Sequence, residues 1–159
     1  MAAKPCTVPA LTPGLPATAD GMLAWLYERG SDGTGLYDEH GNRVGPAVPR
    51  DTRAWNAVFE LLNGYLPPQS QAALFQALAK LPGSRLVPTT TDAADRPMTG
   101  VARMVDSFVY VILFDPRTGA YAGVQTRNTT NSHLGRAGEV FASDAILEEA
   151  VVGRPGQLP

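Results

Sequence analysis

Apolar residues in the first half of the chain lie three and four positions apart, which is the spacing of one helix face. The pattern predicts three helices, at residues 19–30, 51–65 and 69–81. Asp20 and Asp51 stand where an N-cap is expected. Gly30 is a typical helix stop, and proline-containing pairs follow the other two helices.

The predicted helix cores are the apolar stripes. They consist of Met22, Leu23, Leu26 and Tyr27 in the first helix, Trp55, Val58, Phe59 and Leu62 in the second, and Ala73, Leu74, Ala77, Leu78 and Leu81 in the third. Trp25 is also expected in the core.

After Gly83 the pattern changes to Val- and Thr-rich runs separated by turn residues, which is typical of strands. Strands are predicted at residues 85–91, 99–106, 107–115 and 120–127, and residues 140–152 predict a last strand, or a strand with a short helical piece. Asp95-Arg96-Pro97 and Asp115-Pro116-Arg117-Thr118-Gly119 are predicted turns. Phe108–Phe114 is apolar without alternation, which indicates the central strand.

The order of these elements predicts an α+β fold, with about three helices packed on a curved antiparallel sheet of four to five strands, resembling a half-barrel. Residues 1–18 form an irregular proline-rich lead, and residues 19–157 are expected to form a single domain. Residues 30–50 and 128–138 are predicted loops.

Composition narrows the function classes. The chain has 159 residues, 44% of them hydrophobic, and a net charge of −2, so it has no basic excess for nucleic-acid binding. Its one cysteine, Cys6, forms neither an internal disulfide nor a CxxC metal site. The longest apolar run, Phe108–Phe114, is too short to cross a membrane, and no signal segment is visible. We therefore expect a soluble chain without a membrane span.

Several segments together resemble an uncharacterised actinobacterial membrane-anchored family, over about residues 20–157. The segments are Tyr65-Leu66-Pro67-Pro68 with the helix to Gly83, Thr91-Asp92-Ala93-Ala94-x-Arg96-Pro97, Gly100-Val101-Ala102-Arg103, Leu113-Phe114-Asp115-Pro116-x-Thr118-Gly119, and Val151 to Gln157.

The resemblance implies a scaffold and no catalytic motif. Members carry a cytoplasmic tail, one transmembrane helix and an extracytoplasmic domain that is remotely similar to the LolA lipoprotein carrier and the regulator RseB, whose half-barrels hold acyl chains. The compartment therefore stays open, although the resemblance favours an extracytoplasmic one. This chain lacks the transmembrane helix and begins near the middle of the family's ectodomain, so we expect an open sheet edge and a homodimer formed through it.

The metal, nucleotide and thiol motifs are weak. Gly30-x-x-Gly33-x-Gly35 follows a helix and lacks the Lys-Ser/Thr of a phosphate loop. Asp32, Asp38, Glu39 and Asn42 lack the ligand order of a calcium loop. The two histidines, His40 and His133, have no zinc-site spacing. We therefore predict no metal and no cofactor, and Cys6 is expected to be an incidental thiol.

Three residues are candidates if the protein is an enzyme. His133 lies in a polar loop, where it could act as a general base, and Asp106 and Glu149 are candidate acids. The surface-loop interpretation of His133 is the commoner one.

Three other residues are candidates for ligand binding. Arg103 shares a strand face with valines, so it needs either an anionic ligand or a carboxylate such as Asp144, Glu148 or Glu149. Tyr110 and Tyr121 are expected on adjacent strands, where their hydroxyls could position a ligand, although core packing is the commoner role.

Three functions remain open. The leading hypothesis is a non-catalytic module that binds or senses an apolar or amphipathic small ligand on the curved sheet. The second is a small cofactor-independent cyclase, isomerase or hydrolase of secondary metabolism. The third is a protein-interaction domain that uses an open sheet edge.

Overall fold

The structure is a computed structural model that describes residues 14–30, 36–37, 39–44, 47–133 and 135–149. The chain divides into two compact units, Met1–Gly83 and Ser84–Pro159, which are described in turn. Several predictions lie outside the described residues: those on most of the proline-rich lead, the closing segment from residue 150, Cys6, Asp32, Gly33, Gly35 and Asp38.

The described residues of the first unit form three helices and one short pair of strands. Its elements are α1 (Ala19–Arg29), β1 (Leu36–Tyr37), β2 (Arg43–Val44), α2 (Arg50–Leu62) and α3 (Pro68–Lys80). The three predicted helices are confirmed within three residues at each end. The antiparallel β1–β2 pair was not predicted, because two-residue strands are too short to give a periodic pattern.

Both predicted helix N-caps are wrong. Thr18 caps α1, with its hydroxyl oxygen accepting a hydrogen bond from the Gly21 amide at 3.3 Å. Asp20 lies in the first turn instead, where it forms an ion pair with Lys80. Pro49 is the N-cap of α2 and makes no side-chain cap bond, which leaves Asp51 to accept a hydrogen bond from the Tyr27 hydroxyl at 2.7 Å.

The helices pack through the predicted stripes, and α1 contacts both α2 and α3. All five stripe residues of α3 are buried, and Trp55 is fully buried in α2. Trp25 is only partly buried, and the Arg29 guanidinium lies 5.2 Å from its ring centre. Gly30 ends α1 as predicted, and a Cβ there would lie 2.9 Å from the Ala54 amide nitrogen. This close approach of two backbones requires glycine.

The second unit is a five-stranded antiparallel sheet whose strand order follows the sequence. Its strands are β3 (Ser84–Thr91), β4 (Pro97–Val105), β5 (Phe108–Phe114), β6 (Tyr121–Asn128) and β7 (Val140–Ser143). The prediction that Phe108–Phe114 is the central strand is confirmed. The last strand is shorter than predicted, but residues beyond it still follow β6, since the Ile146 amide donates to the Ala122 carbonyl at 2.8 Å.

The sheet is strongly curved. In a flat sheet β3 and β6 would lie about 14 Å apart, because two strands separate them. The Gln125 side-chain amide nevertheless donates to the Thr91 carbonyl at 3.2 Å, and Arg127 Nη2 donates to the Thr90 hydroxyl at 3.1 Å. Hydrogen bonds across that span require the sheet to coil until β3 approaches β6.

Apolar side chains of the sheet fill the inside of this curve. The inner cluster consists of Met98, Ala102, Val111, Leu113 and Ala122, with Val87 and Val109 packed against it. All of these belong to the sheet unit. In this conformation the inside of the curve is therefore a core of the chain's own side chains.

The predicted α+β class is confirmed by three helices and a five-stranded antiparallel sheet. The prediction of one domain over residues 19–157 stays a prediction. The boundary between the two units follows Gly83, which is also where the hydrophobic period changes.

Candidate functional site

Two turns at one end of the sheet have the same arrangement of charged residues. The β3–β4 turn and the β5–β6 turn each begin with an aspartate, Asp92 and Asp115, whose carboxylate accepts hydrogen bonds from amides of its own turn. Each turn also carries an arginine beside a proline. The carboxylates stabilise the turn backbones, and the arginines remain on the surface.

Asp92 is the more deeply buried of the two aspartates. Its Oδ1 accepts from the amides of Ala94 and Arg96 at 2.9 and 3.0 Å, and its Oδ2 accepts from Arg96 Nε at 2.7 Å. Burial by itself would raise the pKa of Asp92, but the hydrogen bonds and charge of Arg96 and the Ala94 amide hold it below its ordinary value. The carboxylate is therefore ionised and fully engaged.

Arg96 is held in place by three contacts. Its Nε and its Nη2 both contact Asp92 Oδ2, and Nη2 also donates to the Ile146 carbonyl at 2.8 Å. The Arg96 side chain is 38% exposed, whereas that of Asp92 is 0% exposed. The cation of this pair thus faces solvent and the anion lies behind it.

The second turn repeats this arrangement at the surface. Asp115 Oδ1 accepts from the amides of Arg117 at 2.7 Å and Thr118 at 3.1 Å, and Gly119 has the positive φ (71°) expected for it. The Arg117 amide is the main cause that holds the pKa of Asp115 below its ordinary value, against the effect of burial. The Arg117 side chain is 85% exposed and lies 3.7 Å from Asp115.

A groove of about 470 Å³ runs between these two turns. We call it the turn groove, and it is lined by Arg96, Pro97, Met98, Asp115, Pro116 and Arg117. Its volume falls within the range of small-molecule sites. Met98 is 4% exposed and also belongs to the inner apolar cluster, so the groove opens onto the interior of the curved sheet.

Two of the predicted ligand-binding residues lie together, on the other face of the sheet. Arg103 on β4 is directly opposite Tyr110 on β5, and Arg103 is buried. Directly opposed residues share a face, so this face differs from that of Ala102 and Val111, which point into the curve. Arg103 and Tyr110 are therefore not part of the turn groove.

Tyr121 shares that outer face but lies further along it. It is opposite Phe114, and the two rings meet edge to face at 6.4 Å. Burial, followed by the charges of Asp144 and Glu149, raises the pKa of Tyr121 to about 12. The acidic residues predicted as partners of Arg103 thus include two that act on Tyr121.

The three predicted catalytic residues are not brought together. His133 lies exposed in the small hairpin closed by Ser132 and Gly135, beyond the end of β6. Asp106 lies in the exposed β4–β5 turn at the same end. Glu149 acts on Tyr121 at the start of β6, and the length of that strand separates the two ends by roughly 23 Å.

The helical unit carries a second groove, of about 400 Å³, along α1. Three of its lining side chains engage other groups: Lys80 Nζ donates to Asp20 at 2.7 Å, Tyr27 donates to Asp51, and the Arg50 guanidinium lies 4.2 Å from the Tyr27 ring centre. Its apolar lining residues, Leu23 and Ala24, are not buried, whereas the turn groove reaches the buried Met98.

The described part of the chain contains no group of three or more His, Cys, Asp or Glu residues that could hold a metal ion. No helix within the described ranges is long and apolar enough to cross a membrane. No protein-family model, no curated protein and no solved structure matches this chain. The resemblance to the actinobacterial family therefore stays a prediction.

Sequence reasoning missed the residues of the turn groove as a site. Arg96 and Arg117 stand inside segments predicted as turns, and Met98 directly precedes the strand predicted at residues 99–106. The signal was the repeated grouping of aspartate, arginine and proline in two turns that a meander brings to the same end of the sheet.

Proposed function

We propose that this protein is a non-catalytic module that binds an amphipathic small ligand in the turn groove. The observation that carries the proposal is the groove itself, whose lining combines the buried Met98 and two prolines with the guanidinium groups of Arg96 and Arg117. An amphipathic molecule matches both parts, since apolar burial supplies affinity and a few polar groups supply orientation.

The site in this proposal differs from the one expected for a carrier. The inside of the curve is filled by the inner apolar cluster, so the ligand occupies the opening and contacts the edge of that cluster through Met98. The proposal needs no cavity deeper in the sheet.

Native mass spectrometry of the purified full-length chain tests this function, followed by denaturing extraction of any bound compound. We expect an amphipathic metabolite at near-stoichiometric level. Hydrogen exchange with and without the anionic fluorophore 1-anilinonaphthalene-8-sulfonate then locates the site. Protection confined to residues 92–98 and 115–119 supports the proposal, whereas an empty protein without fluorophore binding, or protection elsewhere, contradicts it.

One observation favours protein interaction as a second function. Edge strand β7 exposes Val140 and Phe141, at 48% and 46%, and the Phe141 ring stacks on Phe108 at 5.9 Å. Unpaired edges with apolar side chains are sites of strand addition. A dimeric mass by light scattering that becomes monomeric in F141K would favour this function, including the expected homodimer, and a monomer at all concentrations would contradict a self-pairing edge.

A further inference from the structure

We infer that the turn groove selects amphipathic acids, and that the Arg96 guanidinium binds the acid group of the ligand. The inference rests on the proposed function and adds the chemical class of the head group, a carboxylate or another singly charged oxyanion. It is carried by the different exposure of the cations and anions around the groove.

The groove lining contains two arginines, Arg96 and Arg117, each paired with an aspartate of its own turn, whereas Asp95 of the β3–β4 turn is exposed outside the lining. The two members of each pair differ in accessibility. The Asp92 side chain is 0% exposed and Arg96 is 38% exposed, and Asp115 is 29% exposed against 85% for Arg117. A ligand that enters from solvent therefore meets the guanidinium groups first.

The hydrogen bonds of the carboxylates support the same conclusion. Asp92 accepts from two backbone amides and from Arg96, and Asp115 accepts from two backbone amides. Asp92, which accepts through both of its oxygens, is therefore a poor partner for a cationic ligand, whereas both amide hydrogen bonds of Asp115 fall on Oδ1. The groove consequently favours a ligand that accepts hydrogen bonds over one that donates them.

Arg96 is also preorganised. Its Nε and Nη2 are held by Asp92 and the Ile146 carbonyl, and the side-chain hydrogen bonds that Arg96 makes to the described residues use these two nitrogens and not Nη1. An acid oxygen can bind at Nη1 without displacing Asp92. Because the planar guanidinium is already fixed, little rotamer entropy is lost on binding. Asp92 is thus a positioning residue for this contact.

Arg117 plays a weaker part. Its side chain is largely exposed, and an exposed charge adds little affinity because solvent screens it. Arg136 is a matched control, since it is an exposed arginine in the loop beyond β6, at the other end of the sheet.

The experiment compares three probes with the same alkyl chain on the full-length protein: decanoate, decanol and decylammonium, each below its aggregation limit. Affinities are measured by displacement of 1-anilinonaphthalene-8-sulfonate. We expect decanoate to bind the unmodified protein about tenfold more tightly than decanol, the factor that one charge-assisted hydrogen bond supplies. Decylammonium should bind more weakly than either.

Variants test whether Arg96 causes the preference for decanoate. In R96K the ratio of decanoate to decanol affinity should fall towards one, while the affinity for decanol stays unchanged. D92N should lower the same ratio, because the Arg96 guanidinium is no longer held in place. R117A should lower it about twofold, and R136A should leave it unchanged. The comparison of probes on the unmodified protein stands even if R96K does not fold.

The possible results separate the two proposals. Equal binding of decanoate and decanol overturns the selection of acids and leaves the proposed function in place. Preference for decylammonium also overturns it. Absence of binding by all three probes and by the fluorophore overturns both.

Discussion

Both ends of the sheet carry polar residues, and they use them differently. At the groove end, Asp92 and Asp115 accept hydrogen bonds from amides of their own turns, and the guanidinium groups of two arginines line an apolar groove. At the other end, which we call the loop end, Asp106 and residues 130–133 and 136–139 are exposed to solvent.

The loop end is ordered by hydrogen bonds within itself. The Thr129 hydroxyl donates to the Ser107 carbonyl at 2.7 Å, the Ala137 amide donates to Asn131 Oδ1 at 2.9 Å, and the Gly138 amide donates to the Asn128 carbonyl at 2.8 Å. The comparison teaches that the two ends use polar residues for different purposes: at the loop end they bond to one another, and at the groove end charged side chains also line a groove.

The largest effect on this comparison is expected from D92A. Removal of the carboxylate leaves Arg96 without its ion-pair partner and two turn amides without an acceptor, so we expect the free energy of unfolding to fall by about 3 kcal/mol. Urea unfolding followed by circular dichroism measures it. Both tryptophans, Trp25 and Trp55, lie in the helical unit, so hydrogen exchange of peptides from residues 97–128 is needed to report on the sheet.

The matched change at the loop end is N131A, which removes one exposed hydrogen bond to Ala137 and should cost about 0.5 kcal/mol. Equal losses in D92A and N131A would show that the two ends are held with the same strength, contrary to the comparison.

A second, smaller difference is expected between two methionines of β4. Met98 and Met104 lie on the same strand and the same face, because they are six residues apart, but they are 4% and 66% exposed. M98A should lower the free energy of unfolding by about 2 kcal/mol through loss of contacts in the inner cluster, and M104A should change it by less than about 0.5 kcal/mol.

Thermal or urea unfolding of the two single variants gives this result directly. A loss in M104A as large as that in M98A would mean that the inner cluster extends to the loop end, and the groove end would no longer be distinguished by its apolar floor.

These methionines also show how far the sequence could predict the site. Alternation along β4 assigns them to one face, and the first four predicted strands, the turns and the central position of β5 are confirmed. Their different exposure depends on how the sheet curves, which is set by contacts between β3 and β6 that are distant in sequence. Local patterns carry no information about such contacts.

The helix caps illustrate a second limit. Aspartate is a favoured N-cap residue, but so is threonine, and Thr18 stands two residues before Asp20. Lys80, which is 60 residues away, binds Asp20 and so decides which of the two residues caps the helix. Asp51 likewise accepts a hydrogen bond from Tyr27 instead of capping α2. Propensity ranks the candidates, and tertiary partners select among them.

The next effect is a dependence of stability on pH. Asp92 has a lower pKa in the folded chain than its ordinary value of 3.8, so below that value the unfolded chain binds more protons. Its contribution is complete above about pH 5 and is lost as the pH falls through the folded pKa. Unfolding free energies between pH 3 and pH 6 should fall with acidification, and more steeply in the unmodified protein than in D92N.

Asp115 adds to the same loss at the groove end, since its pKa is also lowered. The double variant D92N/D115N should therefore show the shallowest slope of the three proteins. If D92N had the slope of the unmodified chain, Asp92 would not be the engaged carboxylate that the groove requires.

The smallest effect is expected at His133. Its side chain is exposed at the tip of the hairpin closed by Ser132 and Gly135, and the hydrogen bonds of that hairpin are made by the backbone. H133A should therefore change the free energy of unfolding by less than about 0.5 kcal/mol and leave the affinities for decanoate and decanol unchanged. H40A, at the other histidine, which is exposed in the helical unit, is the control. A loss of decanoate binding in H133A alone would place ligand chemistry at the loop end. That result would support the catalytic hypothesis for His133, which its distance from Glu149 now weakens.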